Sequence, residues 1–125
     1  MGKRIIIPDT NFLVECAKNK IDFFSEIDRV VNEAPHFVVL SCIVDELLDL
    51  EKRKGLKRHV SLAKTLIKNV EVVKTGEGLA DDIIVDFAVK NKAVVCTQDS
   101  ILKKRLNALG IPFVIIRQNK YLVLQ

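Results

Sequence analysis

Short runs rich in Val and Ile alternate along the chain with segments whose apolar residues recur at steps of three and four. The runs Arg4–Ile7, Phe37–Leu40, Val70–Val73, Ala93–Thr97 and Phe113–Ile116 predict strands. Several lack a polar alternate position, as strands of a parallel sheet do when both faces are buried. Parallel neighbours need a crossover, and helical patterns lie in the intervals. Phe23, Ile27, Val30, Val31 and Ala34 make one helical stripe, with Pro35 as its stop. Ile43, Leu47 and Leu50 make the next, followed by Leu56, Val60, Ala63 and Ile67, then by Ala80, Ile84, Phe87 and Ala88. Leu102, Leu106 and Leu109 close the series, and Gly110 stands where a helix end favours glycine. Asn11–Lys18 reads as a shorter helix and Tyr121–Leu124 as a short last strand. The fold class is α/β: a single three-layer domain over residues 1–125, with a central parallel sheet flanked by helices. Periodicity leaves the strand order open.

Four acidic residues follow these runs. Asp9 ends Arg4-Ile5-Ile6-Ile7-Pro8-Asp9, and Asp99 ends Ala93-Val94-Val95-Cys96-Thr97-Gln98-Asp99. Glu46 comes about one helical turn after Phe37–Ser41, and Asp81 opens the helical run after Val70–Val73. In a parallel sheet, residues just past the strands' carboxyl ends gather along one edge. Carboxylates crowded there repel one another and lose hydration, and a hard divalent cation is the usual compensation. The pattern points to metal-dependent phosphoryl-transfer chemistry.

Each acid also has a local reading. Asp9 and Asp99 could cap the helices that follow, with Ser100 an alternative to Asp99. Asp81 could complement a helix dipole, and Glu46 could lie on a solvated face. Convergence on one sheet edge favours the shared site. Glu46 lies three residues from Ile43 and four from Leu50, beside an inward stripe, whereas Asp45 and Asp49 read as solvated, with Arg53 available to pair with Asp49. Asp81 lies three before Ile84, and Asp82 shares a different face with Asp86. Asp82 stays a contender as a metal ligand, because helix starts shift by a residue or two.

Composition adds limits. A chain of 125 residues suits one core, with no repeat or low-complexity tract. Ile5-Ile6-Ile7 is too short for a signal-peptide core, and no apolar run is long enough to span a bilayer. A soluble cytoplasmic protein is expected. Cys16, Cys42 and Cys96 form no C-x-x-C pair and read as reduced core residues. The net charge of +4, from 20 Lys+Arg against 16 Asp+Glu, does not select nucleic acid by itself. With several acids gathered in one cleft, however, the remaining surface is more basic than the total. Its densest stretches are Lys52–His59, holding Arg53, Lys54, Lys57 and Arg58, and Lys103-Lys104-Arg105. Each reads as a solvated helix face or as phosphate contacts beside the acidic cleft. His36 and His59 lie near no acid at useful spacing, and no P-loop or G-x-G-x-x-G occurs.

Taken in order, Asp9-Thr10-Asn11, Glu46, Ala80-Asp81-Asp82-x-Ile84 and Thr97-x-Asp99 resemble a PIN-domain nuclease over nearly the whole chain. The similarity is to the archaeal and eukaryotic branch that includes the small-subunit processome endonuclease. It is carried further by Lys18–Asp22, Lys103-Lys104-Arg105 and Gly110-Ile111-Pro112. The resemblance implies a sheet ordered 3-2-1-4-5 and an endoribonuclease using one or two Mg²⁺ or Mn²⁺ ions. It implies Asp9, Glu46, Asp81 and Asp99 as the catalytic and metal-binding quartet, with Thr10, Asn11 and Thr97 supporting them. Arg53, Lys57, Arg58, Lys103, Lys104 and Arg105 become the RNA-binding candidates. The implied partner is RNA, pre-rRNA first, with a homodimer also compatible and no membrane. A toxin ribonuclease of a toxin–antitoxin pair shares the chemistry, and a non-catalytic RNA-binding assembly module shares the fold. Pro8 before the first Asp, and Ile101 where many relatives carry a further Asp, depart from the family pattern.

Overall fold

The computed structural model describes residues 3–53 and 55–125. Lys54, one of the basic candidates, lies outside the described residues. In chain order the elements are β1 (Arg4–Pro8), α1 (Thr10–Lys18), α2 (Phe23–Val30), β2 (Pro35–Leu40), α3 (Ser41–Glu51), α4 (Lys57–Leu66) and β3 (Glu71–Val73). Then follow α5 (Ala80–Asn91), β4 (Val94–Cys96), α6 (Ser100–Ala108), β5 (Phe113–Arg117) and β6 (Tyr121–Leu124). They build one sheet in the order β3-β2-β1-β4-β5-β6. All its pairings are parallel except β5 with β6, an antiparallel hairpin whose turn places Gln118 and Asn119 at φ 55. The order 3-2-1-4-5 is as expected, with β6 added at the edge.

Burial on both faces explains the uninterrupted apolar runs of the central strands β1 and β4, whereas the edge strand β3 leaves Glu71 and Val72 exposed. Ile6 and Ile7 are both buried, yet belong to different core clusters. One cluster joins Ile7 and Val95 to Ile43, Leu47, Ile84 and Leu102 on the helices of one face. The other joins Ile6, Val94 and Cys96 to Phe12, Phe23 and Ile27 on α1 and α2. Phe23 sits at the centre of an aromatic group, with ring centroids 5.9 Å from Phe12, 5.4 Å from Phe24 and 5.4 Å from Phe37. Phe23→Ala should therefore cost about 3–5 kcal/mol of folding stability in a urea titration. A loss below about 1 kcal/mol would show that the neighbouring rings collapse into the space.

The boundaries that differ most from the pattern in the sequence lie between α2 and β2, while β3 and β4 are shorter than their apolar runs, at Glu71–Val73 and Val94–Cys96. Helix α2 ends at Val30, with Val31 already extended at φ −104, ψ 126. Ala34 thus lies outside the helix. Pro35 opens β2 instead of stopping a helix, a strand position that costs no ladder donor. The adjacent Ala34 carbonyl accepts from Arg4 N at 2.8 Å and aligns β2 with β1. Gly110 does follow α6, at φ +69. Among the described residues, no helix is long and apolar enough to cross a membrane.

Candidate active site

The chain runs outward in opposite directions from the β1–β4 junction, through β2 and β3 on one side and β5 and β6 on the other. A crevice forms at such a point, outside the carboxyl ends of the strands. Pro8 pairs with Cys96 at the last rung, and Asp9 N donates to Cys96 O at 2.9 Å. The Asp9 carboxylate is thereby set beside the end of β4. Its Oδ1 accepts from Phe12 N at 2.8 Å, capping α1, and its Oδ2 accepts from the Thr97 hydroxyl. Thr97 is fully buried, and its Oγ1 also accepts from Asp99 N at 3.0 Å. One hydroxyl therefore links the carboxylate after β1 to the backbone after β4. Asp99 in turn caps α6, accepting from Leu102 N at 2.7 Å. Capping and site-building do not compete here, because the caps are what hold these two carboxylates in place.

Glu46 comes from the middle of α3, where Thr10 Oγ1 donates to its Oε1 at 2.6 Å. Asp81 lies in the first turn of α5. Asp9, Glu46, Asp81 and Asp99 line one cavity of about 320 Å³, with Thr10 and Asn11 also in its wall.

Burial pushes the Asp9 carboxyl up to about 6. The hydrogen bonds from Thr97 and Phe12 pull it down, and the charges of Asp81 and Asp99 push it up again. Asp81 is raised as well, by burial first and then by Asp99, while Arg105 opposes the shift. Among the described residues, no three His, Cys, Asp or Glu side chains are drawn together closely enough to form a ligand group as they stand. Mutually repelling carboxylates around a cavity would hold that spacing. The donors are hard oxygens, the donor chemistry that suits Mg²⁺ or Mn²⁺. A cation there would offset the charge that raises Asp9 and Asp81.

Two further charged residues line this cavity, Asp49 and Arg53, along with Leu50 and Ile84. Periodicity placed Asp49 on a solvated face, and it is exposed there, but it also follows Glu46 by one turn of α3 and so borders the cavity on the Glu46 side. The spacing i, i+3 was the signal. Asp82 is not in the wall; it is exposed and pairs with Arg105, Oδ1 to Nη1 at 2.8 Å. His36 also differs from the sequence reading, since its Nε2 lies 2.8 Å from Glu71 Oε1 across the β2–β3 edge. Of the basic candidates among the described residues, only Arg53 lines the acidic cavity. Lys57 is exposed at the start of α4, and Lys103 and Lys104 line a separate cleft of about 420 Å³ beside Phe113.

Arg58 lines a larger groove of about 1080 Å³, with Ile21, Phe24, His36, Phe37 and Leu66. This groove lies near the amino-terminal ends of β2 and β3 and is mostly hydrocarbon. Size does not make it the site of chemistry, because the carboxylates are gathered in the smaller cavity. The cysteines are free, as expected. Burial pushes the Cys16 thiol up to about 12 and raises Cys96 well above its ordinary range, so neither is a ready nucleophile.

The family model described as a PIN like domain matches residues 5–119. The chain belongs to the PIN-domain family. Ribonuclease VapC4 of Methanocaldococcus jannaschii is 40% identical over 121 residues, covering 93% of this chain and 92% of that protein. The rRNA-processing protein fcf1 of Schizosaccharomyces pombe is 29% identical over 119 residues, covering 92% of this chain and 60% of that protein. A solved structure of the PIN domain endonuclease Utp24 superposes with a TM-score of 0.79 at 26% identity, covering 97% of this chain and 90% of that chain. This PIN domain is thus similar to a VapC ribonuclease, to an rRNA-processing protein and to the PIN domain endonuclease Utp24.

Proposed function

We propose that this PIN domain is a Mg²⁺- or Mn²⁺-dependent endoribonuclease that hydrolyses RNA phosphodiesters as one domain over residues 1–125. The observation that carries this reading is the gathering of Asp9, Glu46, Asp81 and Asp99 in one cavity, with Asp9 and Asp81 raised by burial and mutual repulsion. These four would hold one or two ions. When bound, such a cation lowers the pKa of water and stabilises charge on the leaving oxygen. Thr97 orients Asp9, Thr10 orients Glu46, and Asn11 offers a polar side chain to the substrate. Arg53, the cation in the same wall, is placed to meet a phosphate oxygen; Lys57, Arg58, Lys103, Lys104 and Arg105 would contact RNA farther out.

Pre-rRNA processing in the cytoplasm is the favoured role, supported by the Utp24 superposition and the fcf1 likeness. A toxin ribonuclease is the second reading, supported by the 40% identity to VapC4 across nearly both chains. Deletion in the native host separates them. Accumulated pre-rRNA supports processing, whereas normal rRNA, with growth arrest on overexpression, supports the toxin. A mutant series that binds RNA but never cuts it would leave only an assembly module.

The cut ends should be 5′-phosphate and 3′-hydroxyl. Neither His36 nor His59 lines the cavity, so no paired-histidine base stands there to activate the ribose 2′-hydroxyl. End-labelling of the products tests this, and 2′,3′-cyclic phosphates, or cutting that persists in excess chelator, would overturn it. Arg53→Glu should weaken RNA binding at least tenfold and flatten its salt dependence by about one phosphate contact. Arg58→Glu, on the other groove and farther from the carboxylates, should weaken binding less than Arg53→Glu does. Equal effects would show that proximity to the acidic cavity does not decide the RNA path.

A further inference from the structure

The β4–β5 ladder ends in an unusual way. Parallel pairing advances in two-residue steps: Val95 N donates to Pro112 O at 3.2 Å, and Thr97 N donates to Val114 O at 3.0 Å. The next step would bring Asp99 N to Ile116 O. Instead Asp99 N turns to Thr97 Oγ1 at 3.0 Å. The Gln98 side chain takes the vacated rung. Its Oε1 accepts from Ile116 N at 2.7 Å, and its Nε2 donates to Ile116 O at 3.2 Å. A side-chain amide carries the same donor and acceptor as a peptide unit, so both backbone groups of Ile116 stay satisfied. The main chain is released to turn out of the sheet at Asp99, while remaining fastened to β5.

We propose that Gln98 is a positioning residue of the active site. It acts as a surrogate ladder rung that lets the chain leave the sheet at Asp99 and fixes the Asp99 carboxylate beside Asp9. This rests on the nuclease reading for its catalytic consequence, but not for its structural one. Methionine matches glutamine in length and loses both hydrogen bonds, leaving Ile116 N and O unpaired by the side chain. Asp99 then samples positions away from the cavity, while the substrate-binding surface is unaltered. The expected signature is a loss of kcat with KM nearly unchanged.

The test compares wild type, Gln98→Met and Val123→Ala. The last variant weakens the β5–β6 hairpin without touching the Asp99 segment and serves as a stability control. Amide hydrogen exchange of Leu102, whose N–H reports the Asp99 cap, is followed by NMR in the metal-free protein. RNA cleavage is then measured with Mn²⁺. Gln98→Met should speed Leu102 exchange at least tenfold, lower kcat about tenfold and leave KM within twofold. Val123→Ala should change neither Leu102 exchange nor kcat by more than about twofold. Unchanged Leu102 exchange in Gln98→Met, or an equal kcat loss in a control of equal melting temperature, would overturn the proposal. If wild type cuts no RNA but Leu102 exchange responds as stated, the positioning role stands and the nuclease reading falls.

Discussion

Asp9→Asn is expected to reduce RNA cleavage at least a thousandfold while making the metal-free protein more stable at neutral pH. Both effects come from one charge. Asp9 is 8% exposed, accepts from Phe12 N and Thr97 Oγ1, and is raised to about 6, first by burial. An unfolded aspartate titrates near ~3.9. Between about pH 4 and pH 6 the folded chain therefore holds more protons at this site than the unfolded chain, and stability falls as pH rises through that window. The shift of roughly two units corresponds to about 3 kcal/mol at most. Asparagine carries no charge to desolvate and is itself a good helix cap, though its NH₂ meets a donor now aimed at a carboxylate oxygen. A net gain of about 1–3 kcal/mol at pH 7 should result, vanishing near pH 4. Asp81 titrates in both proteins, so the difference between their urea-denaturation curves across pH reports Asp9 together with its coupling to Asp81. Near-wild-type cleavage would remove Asp9 from the site, and parallel stability curves would contradict its raised pKa.

The parts of this molecule legible from sequence are those set by local pattern. Ile6 and Ile7 announce a strand buried on both faces, and each indeed enters a different core cluster. Asp9 and Asp99 could be placed because a residue just past a strand has little freedom to be elsewhere. Strand order was not legible from periodicity and came from family resemblance. What pattern missed are choices made by partners distant in sequence. Asp49 and Asp82 each sit on an amphipathic helix beside a better candidate. Asp49 lines the cavity, whereas Asp82 is drawn away by Arg105, which reaches it from the next helix but one strand later. His36 meets Glu71 only because β2 and β3 are neighbours. Arg53 and Arg58 are neighbours in one basic stretch, yet a turn and the start of α4 separate them onto different concavities. Charge density along a sequence cannot see that division.

Divalent cation should raise the melting temperature, and the rise should depend on Asp99. The four carboxylates of the proposed site come from three helices and a strand end that meet only in the folded chain: Asp9 after β1, Glu46 on α3, Asp81 on α5 and Asp99 capping α6. A ligand bound by the native state alone stabilises it by an amount that grows with the logarithm of its concentration over its dissociation constant, about 2.7 kcal/mol at a hundred times that constant. For a domain of this length that amounts to a rise on the order of 10 °C. Magnesium and manganese should both act, since the donors are carboxylate oxygens, and the effect should be larger at pH 7 than at pH 5, where protons compete for Asp9. Asp99→Asn preserves a capping oxygen for Leu102 N but removes one ligand charge, so its rise should be at least halved. Scanning calorimetry of both proteins, with Mn²⁺ and with chelator, decides the matter. An equal rise in the two would place the cation away from this cavity, even if RNA were still cut.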